Sequence, residues 1–142
     1  MSMYCSVQTQ FKDQEALITA LTESRNTLGK LFSLQDIEIH DIPTNLYGYR
    51  GDIRKEKANI IIRRRNVGGA ANDVGFVKNE NGEFTAIISE YDKTHYNEQW
   101  LNNLKANYAY HIIRARQEKM GRIVSRERLT NGKQKIIIKG YR

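Results

Sequence analysis

Residues Asn97 to Met120, NEQWLNNLKANYAYHIIRARQEKM, form the longest segment of the sequence with a single clear period. Its apolar residues recur at spacings of one, three, four and four: Trp100, Leu101, Leu104, Tyr108 and Ile112. This is the apolar stripe of a helix with one buried face. Asn97 can cap the start of the helix, and Gly121 can end it in a left-handed conformation. We therefore predict a long amphipathic helix that closes the core.

The sequence before this helix begins with a strand, a second helix and another strand. Met3–Gln10 alternates with a period of two, which is typical of a strand. Asp13 can cap a helix that we expect to end at Gly29. Its apolar stripe consists of Ala16, Leu17, Ala20 and Leu21, with Leu28 as a candidate extension. Gln35–Ile42 alternates again, and Pro43 is expected to end this strand.

The middle of the sequence contains three more predicted strands. Asn59–Asn66, three isoleucines followed by three arginines, is the first of them. Asp73–Asn79 and Glu83–Glu90 flank Asn81-Gly82, a dipeptide that favours a tight hairpin turn because both residues tolerate positive φ. We therefore predict an antiparallel pair directly before the long helix.

A second Asn-Gly dipeptide, at residues 131 and 132, predicts a hairpin at the end of the chain. With a two-residue turn, Thr130 opposes Lys133, Arg128 opposes Lys135, Arg126 opposes Ile137 and Val124 opposes Lys139. Directly opposed residues share a face. One face would then carry Arg126, Arg128, Lys133, Lys135 and Lys139, and the other Ile123, Leu129, Ile136 and Ile138. We expect the apolar face to pack on the core.

These elements predict an α+β fold. We expect a mainly antiparallel sheet of about five to seven strands, with the two amphipathic helices packed on one face. A length of 142 residues suits a single domain over residues 1–142. The sequence contains neither internal repeats nor a stretch with the composition of a domain linker.

Composition limits the compartments in which the protein is expected. No apolar run approaches the roughly 20 residues needed to span a bilayer. The first residues lack a basic flank followed by an apolar stretch, so export is not expected. The single cysteine, Cys5, cannot form an internal disulfide and suits a reducing compartment. We predict a cytoplasmic protein.

The net charge of +7 is concentrated at one end of the sequence. Residues 114–142 contain ten basic and two acidic side chains, a net charge of +8, whereas residues 1–113 sum to −1. Such asymmetry favours an anionic partner.

Signals for catalysis are weak in this sequence. His40, His95 and His111 do not have metal-ligand spacing, and one cysteine cannot build a thiolate cluster. A phosphate-binding loop of the GxxxxGK type is also missing. We therefore predict that the protein is not an enzyme and uses neither a metal nor a cofactor.

The loop from Tyr47 to Gly51, with Arg54 just after it, is the first candidate ligand-binding segment. Tyrosines can stack on a flat ring, and glycines allow a close backbone approach. Arg50 could hold a phosphate through two parallel hydrogen bonds. This combination suits a nucleotide or single-stranded nucleic acid. The alternative is a turn that packs Tyr47 and Tyr49 onto the sheet.

Two further segments carry candidate residues. Arg63, Arg64 and Arg65 are predicted to end a strand, with Arg64 on its apolar face, and they either pair with acidic residues of the protein or contact a ligand. On the long helix, Tyr110, His111 and Arg114 either form a wall of a ligand cleft or lie at the core boundary. With the basic hairpin face, the candidate ligand-binding residues are Tyr47, Tyr49, Arg50, Arg54, Arg63, Arg64, Arg65, Tyr110, His111, Arg114, Arg126, Arg128, Lys133 and Lys135.

Three motifs resemble a known protein family: Tyr47-Gly48-Tyr49-Arg50-Gly51, Asp73-Val74-Gly75-Phe76, and Leu104 through Tyr108-Ala109-Tyr110-His111. They are similar to the thirty-fifth hypothetical chloroplast reading-frame family of plastids, cyanobacteria, other bacteria and phages. Family members tend to begin Met-Ser-His-Phe, whereas Met3-Tyr4 follows Ser2 here. The resemblance implies a compact domain of unknown function. It also implies an assembly role by association, because family genes often lie beside those of an AAA-class ATPase and a ferredoxin-like protein.

Two functional hypotheses follow. The first is a non-enzymatic protein whose basic surface binds an anionic ligand, either a nucleotide-like small molecule or nucleic acid. The alternative is an adaptor or inhibitor that docks on an acidic surface of a protein such as an AAA-class ATPase. The bias toward asparagine, isoleucine and lysine suits an AT-rich genome, including that of a phage. The compartment would be the host cytoplasm for a phage protein and the stroma for a plastid protein.

Overall fold

The computed structural model describes residues 3–129 and 133–140. Within these residues the strands are β1 (Tyr4–Gln8), β2 (Ile37–Tyr47), β3 (Ile53–Ile62), β4 (Val74–Lys78), β5 (Phe84–Ser89), β6 (Ile123–Arg128) and β7 (Gln134–Lys139). The α-helices are α1 (Gln14–Leu21), α2 (Arg64–Val67) and α3 (Glu98–Lys119). Short 3-10 turns lie at Leu34–Asp36 and Asp92–Thr94.

The predicted α+β class is confirmed. β1 to β5 form an antiparallel sheet in the order β1-β5-β4-β3-β2, and β6 pairs with β7 in a separate two-stranded sheet. Helices α1 and α3 pack on one face of the large sheet, where apolar side chains from both layers form the core. Its fully buried members include Leu17, Leu21, Ile60, Ile62, Phe76, Phe84, Ile88 and Leu104. No helix in the described part of the chain is long and apolar enough to cross a membrane.

Helix α3 begins and ends where the sequence predicts. The side chain of Asn97 accepts a hydrogen bond from the backbone N–H of Trp100 at 3.0 Å. Gly121, just beyond the helix, has a φ of 78°, which a glycine adopts without strain. The buried face is wider than the predicted stripe, since Asn107 and Tyr110 are buried as well. Strand β6 packs against this part of α3.

Helix α1 is shorter than predicted. Asp13 caps it as expected, but it ends at Leu21 rather than near Gly29, and Leu28 is 73% exposed. The hydroxyl of Ser24 donates to the carbonyl of Ala20 at 2.8 Å. The same carbonyl accepts from the backbone N–H of Glu23 at 3.1 Å, so these local bonds satisfy the last turn and compete with a further turn of helix.

Strand β2 continues past Pro43, where we predicted its end. The pairing of β2 with β3 shifts between Ile39 opposite Ile60 and Thr44 opposite Ala58, so β2 has extra residues between these points. Because β2 is an edge strand and bulges there, the missing N–H of Pro43 interrupts no sheet hydrogen bond. The side chain of Asn59 instead donates to two carbonyls of the bulge.

We predicted that the three consecutive arginines end a strand, and the structure shows that they do not. Strand β3 ends at Ile62, Arg63 is extended, and α2 begins at Arg64. The backbone N–H of Arg64 donates to a carboxylate oxygen of Asp73 at 2.6 Å, and this bond holds the start of α2 in place. The predicted alternation of Arg63, Arg64 and Arg65 between two strand faces is therefore wrong.

The predicted register of the last hairpin is wrong by one residue. Val124 opposes Ile138, Arg126 opposes Ile136 and Arg128 opposes Gln134. Lys135 opposes Glu127, so it lies on the face away from Arg126, and Lys139 opposes Ile123 on that same face. A one-residue shift moves side chains to the other face. The single basic hairpin face therefore does not form. The predicted turn at residues 131 and 132 lies outside the described residues.

Candidate functional site

An open cavity of about 430 Å³ lies where the end of β2 meets α2. It is lined by Tyr47, Arg63, Arg64, Arg65 and Asp73. We call it the arginine cavity. Its size is in the range of small-molecule sites. It unites residues from two of the segments proposed above, the tyrosine loop and the arginine run.

Asp73, which is not among the predicted site residues, organises the arginine cavity. Its side chain is fully buried, and its carboxylate accepts hydrogen bonds from Tyr47 N at 2.7 Å, Arg63 Nη1 at 2.8 Å and Arg64 N at 2.6 Å. The backbone N–H of Asp73 returns a bond to the Tyr47 carbonyl at 2.9 Å. A buried carboxylate needs such donors to offset its desolvation. Asp73 thereby joins the end of β2 to the start of α2.

Arg63 uses its charge within the protein. Its Nε donates to Glu38 Oε2 at 3.0 Å, and its Nη1 donates to Asp73 Oδ2. Burial lowers the pKa of the Arg63 guanidinium, but the bonds to Glu38 and Asp73 outweigh this effect and raise it. The guanidinium also lies over the ring of Tyr47, 5.2 Å from its centroid. Arg63 is therefore a fixed wall of the cavity.

Arg64 and Arg65 differ from Arg63 because neither forms an ion pair among residues 3–129 and 133–140. The Nη1 of Arg64 donates to the carbonyl of Tyr49 at 2.9 Å, which orients the guanidinium and leaves other N–H groups available. Arg65 is exposed. The cavity therefore contains two guanidinium groups that no carboxylate of the described residues neutralises.

The Tyr49 end of the loop is fixed by a buried polar network. The backbone N–H of Tyr49 donates to Asn72 Oδ1 at 2.9 Å, and Asn72 in turn donates to Ser89 and Asp92. Burial raises the pKa of Asp92, although hydrogen bonds from Asn72 and Ser89 oppose the shift. Arg50 is exposed and lies on the Tyr49 ring, with its Nε 2.9 Å from the tyrosine oxygen. This arginine lies beside the arginine cavity without lining it.

Arg54 does not line the arginine cavity. Its guanidinium covers the ring of Tyr4, 4.9 Å from the centroid, on the sheet face opposite the helices. The Tyr4 hydroxyl donates to the carbonyl of Asp73 at 2.7 Å. Burial is the main cause of the raised pKa of Tyr4. The structure therefore connects Arg54 with the packing of β1.

The candidate residues of α3 and the last hairpin form a separate network. Arg126 stacks on Tyr110, 4.1 Å from the ring centroid, and donates to Glu23 Oε1 and Asn107 Oδ1, each at 2.9 Å. His111 Nε2 lies 2.8 Å from the same Glu23 oxygen. Burial raises the pKa of Glu23, but the hydrogen bonds from Arg126 and His111 outweigh it and lower the pKa. The side chains of Arg126, His111 and Glu23 are therefore one another's hydrogen-bond partners.

The remaining candidates do not all lie on one surface. Arg128 Nη2 donates to Asn107 Oδ1 at 3.0 Å, and Arg114 Nε pairs with Glu118 Oε2 at 2.9 Å. Lys133 lines a cavity of about 390 Å³ together with Arg128, and Lys135 is exposed. Within the described residues, no group of three or more His, Cys, Asp or Glu side chains could hold a metal ion.

Comparisons with known proteins identify the family. Neither the curated proteins nor the solved structures contain a match to this chain. Residues 33–137 match the family described as "Protein of unknown function (DUF1257)". The match spans nearly three quarters of the chain and contains every residue of the arginine cavity. It agrees with the resemblance to an uncharacterised family, and the chain belongs to the DUF1257 family.

Proposed function

We propose that this protein is a non-enzymatic binding protein whose arginine cavity takes an anionic, nucleotide-like ligand. The observation that carries the proposal is the difference among three adjacent arginines. Glu38 and Asp73 neutralise Arg63, whereas Arg64 and Arg65 line the same cavity and pair with no carboxylate in the part of the chain that the structure describes.

The chemistry of these groups favours phosphate. A guanidinium presents parallel N–H donors that match two oxygens of a phosphate, and a charged pair of this kind binds more strongly than a neutral hydrogen bond. Arg64 is held by the Tyr49 carbonyl, so less side-chain freedom is lost when a ligand binds. The fixed positions of Arg63 and Asp73 define the opposite side of the cavity.

Tyr47 adds a surface for a flat group. Its side chain lines the cavity and the residue remains 38% exposed, while Arg63 holds the ring from one side. An aromatic ring beside unpaired guanidinium groups suits a ligand with both a planar ring and a phosphate. The last hairpin divides its basic residues, since Arg126 is neutralised by Glu23, Arg128 donates to Asn107 and Lys135 lies on the other face. The proposal therefore favours a small ligand over a long nucleic acid.

We further propose that the protein acts in the cytoplasm. Its single cysteine suits a reducing compartment, as argued from the sequence. A binding role there requires neither a metal nor a cofactor.

The test begins with native mass spectrometry of the purified protein, followed by titration with pyrophosphate, a nucleoside triphosphate and a short oligonucleotide. We expect the triphosphate to bind, and binding to weaken as salt increases. Arg65→Ala should raise Kd by about tenfold, as expected for one charged hydrogen-bonded contact. Lys119→Ala, an exposed basic residue of α3, is the matched control and should leave Kd unchanged. If the titrations at low salt show no binding, or if both variants weaken it equally, the proposal is wrong.

A further inference from the structure

Among residues 3–129 and 133–140, no strand covers the outer edge of β1. Within that range this strand pairs only with β5, and the Glu90 N–H donates to the Met3 carbonyl at 2.8 Å. In an antiparallel pair, alternate residues direct their backbone groups toward the partner strand. Residues 3, 5 and 7 therefore bond to β5, and the backbone N–H and C=O of Tyr4, Ser6 and Gln8 point away from the sheet. Such an edge is a template for another strand.

An apolar groove runs beside this free edge, between β1 and α3. Two cavities of about 560 and about 410 Å³ follow each other along it and share Lys105 as a lining residue. The apolar side chains along the groove are Val7, Phe11, Leu101, Tyr108, Ile112 and Ile113. An extended chain added to β1 would direct alternate side chains into this groove.

The charges around the groove are mainly positive. Lys93 and Lys105 line it and form no ion pair within the described part of the chain, and Glu98 is the acidic lining residue. A second copy of this protein, with its net charge of +7, would bring like charges together. An acidic partner would instead find complementary charge.

We propose that the β1 edge and this groove bind an extended segment of a partner protein in which two apolar side chains flank a carboxylate. The segment adds a sixth, antiparallel strand beside β1. Its apolar side chains enter the groove, and the carboxylate meets Lys105. Main-chain hydrogen bonds supply affinity, and the groove supplies specificity. This inference does not depend on the arginine cavity.

The probe is a fluorescein-labelled peptide of sequence TVTETIT, whose second, fourth and sixth side chains are designed to face the groove. Residues opposed across an antiparallel pair share a face, and Tyr4 and Ser6 lie on the face opposite Val7, away from the groove. The threonines of the peptide therefore make the hydrogen bonds to β1. N-methylation of the third and fifth residues should abolish binding, measured by fluorescence anisotropy. N-methylation of the fourth residue should have little effect. Equal effects of the two modifications would overturn the proposal.

The charge contact is tested by a swap. Lys105→Glu should raise the Kd for TVTETIT by about tenfold and strengthen binding of the peptide TVTKTIT. Lys57→Glu, an exposed lysine of β3 with the same charge change, is the control and should leave both affinities unchanged. A circular dichroism spectrum confirms that each variant is folded. If both variants change affinity alike, or if TVTETIT does not bind the intact protein, the proposal is wrong. Sedimentation of the protein alone should show a monomer. If the protein is instead a dimer, and the Ser6→Pro variant is a monomer, the β1 edge binds a second copy of the chain and the proposal is wrong.

Discussion

The most direct test of the fold around the arginine cavity is the substitution Asp73→Asn. The amide has nearly the same shape as the carboxylate but no charge, and one of its two acceptor atoms becomes a donor. In the protein both oxygens of Asp73 accept, one from Arg64 N and the other from Tyr47 N and Arg63 Nη1. Whichever way the amide is turned, its NH₂ group faces at least one N–H donor. Asp73→Asn therefore loses an ion pair and leaves a buried donor without an acceptor.

The size of the effect follows from burial. Breaking a buried ion pair costs about 3 to 5 kcal/mol, and an unsatisfied buried N–H costs about 1 to 3 kcal/mol. Arg63 keeps its bond to Glu38 and its side chain is 25% exposed, so the total should lie near the lower end. We expect the free energy of unfolding to fall by about 3 kcal/mol, and Tm by about 10 °C for a chain of this length.

Urea unfolding, followed by circular dichroism and by the fluorescence of Trp100, measures this change. Asp41→Asn is the matched control, because Asp41 is exposed and its carboxylate has no hydrogen bond among the described residues. That variant should differ from the parent by less than about 0.5 kcal/mol. A loss below about 1 kcal/mol in Asp73→Asn would refute the view that this carboxylate holds the cavity together.

Two further predictions concern packing and pH. In Gly75→Ala the new methyl would lie 2.6 Å from the Cβ of Ala58, so we expect a loss of about 1 to 3 kcal/mol in unfolding free energy. Gly69→Ala, with no atom within 4 Å, should be nearly neutral, and equal losses would contradict this explanation. The depressed pKa of Glu23 contributes stability that is present above its ordinary pKa and is lost as pH falls through the folded value. On acidification the unfolding free energy of Glu23→Gln should therefore fall less than that of the parent. If the unfolding free energies of the two proteins fall in parallel with pH, the bonds of Glu23 to Arg126 and His111 do not contribute this stability.

The parts of the fold that the sequence predicts correctly depend on local signals. Helix α3 was recognisable from its apolar period, its Asn97 cap and the glycine that follows it. The end of α1 was not, because it depends on Ser24, which donates to the Ala20 carbonyl and accepts from Trp100 and Asn107 of α3, rather than on Gly29. The extension of β2 through Pro43 also depends on tertiary structure, since a proline is tolerated only at an edge or a bulge.

The arginine cavity was predictable only in part. The tyrosine loop and the arginine run were both candidate sites, but nothing local indicates that Tyr47 and Arg63 lie on one cavity. The residue that joins them, Asp73, is 26 positions from Tyr47 and 10 from Arg63. The one available signal was an aspartate at the start of a buried strand, within the Asp73-Val74-Gly75-Phe76 motif. A carboxylate in such a place requires donors nearby.

The last hairpin shows why charge in a sequence does not translate into charge on a surface. In both predicted hairpins, residues four apart oppose each other: Asn79 N donates to Glu83 O, and Leu129 N donates to Lys133 O, each at 2.8 Å. The two-residue turn predicted for the last hairpin would instead place residues three apart opposite each other, such as Thr130 and Lys133. A change of one residue in the spacing of opposed positions shifts the register. The side chains of one strand then lie on the opposite face relative to those of the other strand.

This one-residue shift decides which basic side chains of the hairpin share a face. In the observed register Arg126 shares its face with Val124 and reaches Glu23 and Asn107, whereas Lys135 is turned to the other side. A guanidinium anchored in this way would have to break bonds to Glu23 before it could bind an anion. Arg64 and Arg65 have no such carboxylate to give up. Whether an arginine contributes to phosphate affinity should therefore depend on whether a carboxylate already pairs with it, and not on the local density of basic residues. Substitutions at Arg65 should then weaken phosphate binding more than substitutions at Arg126.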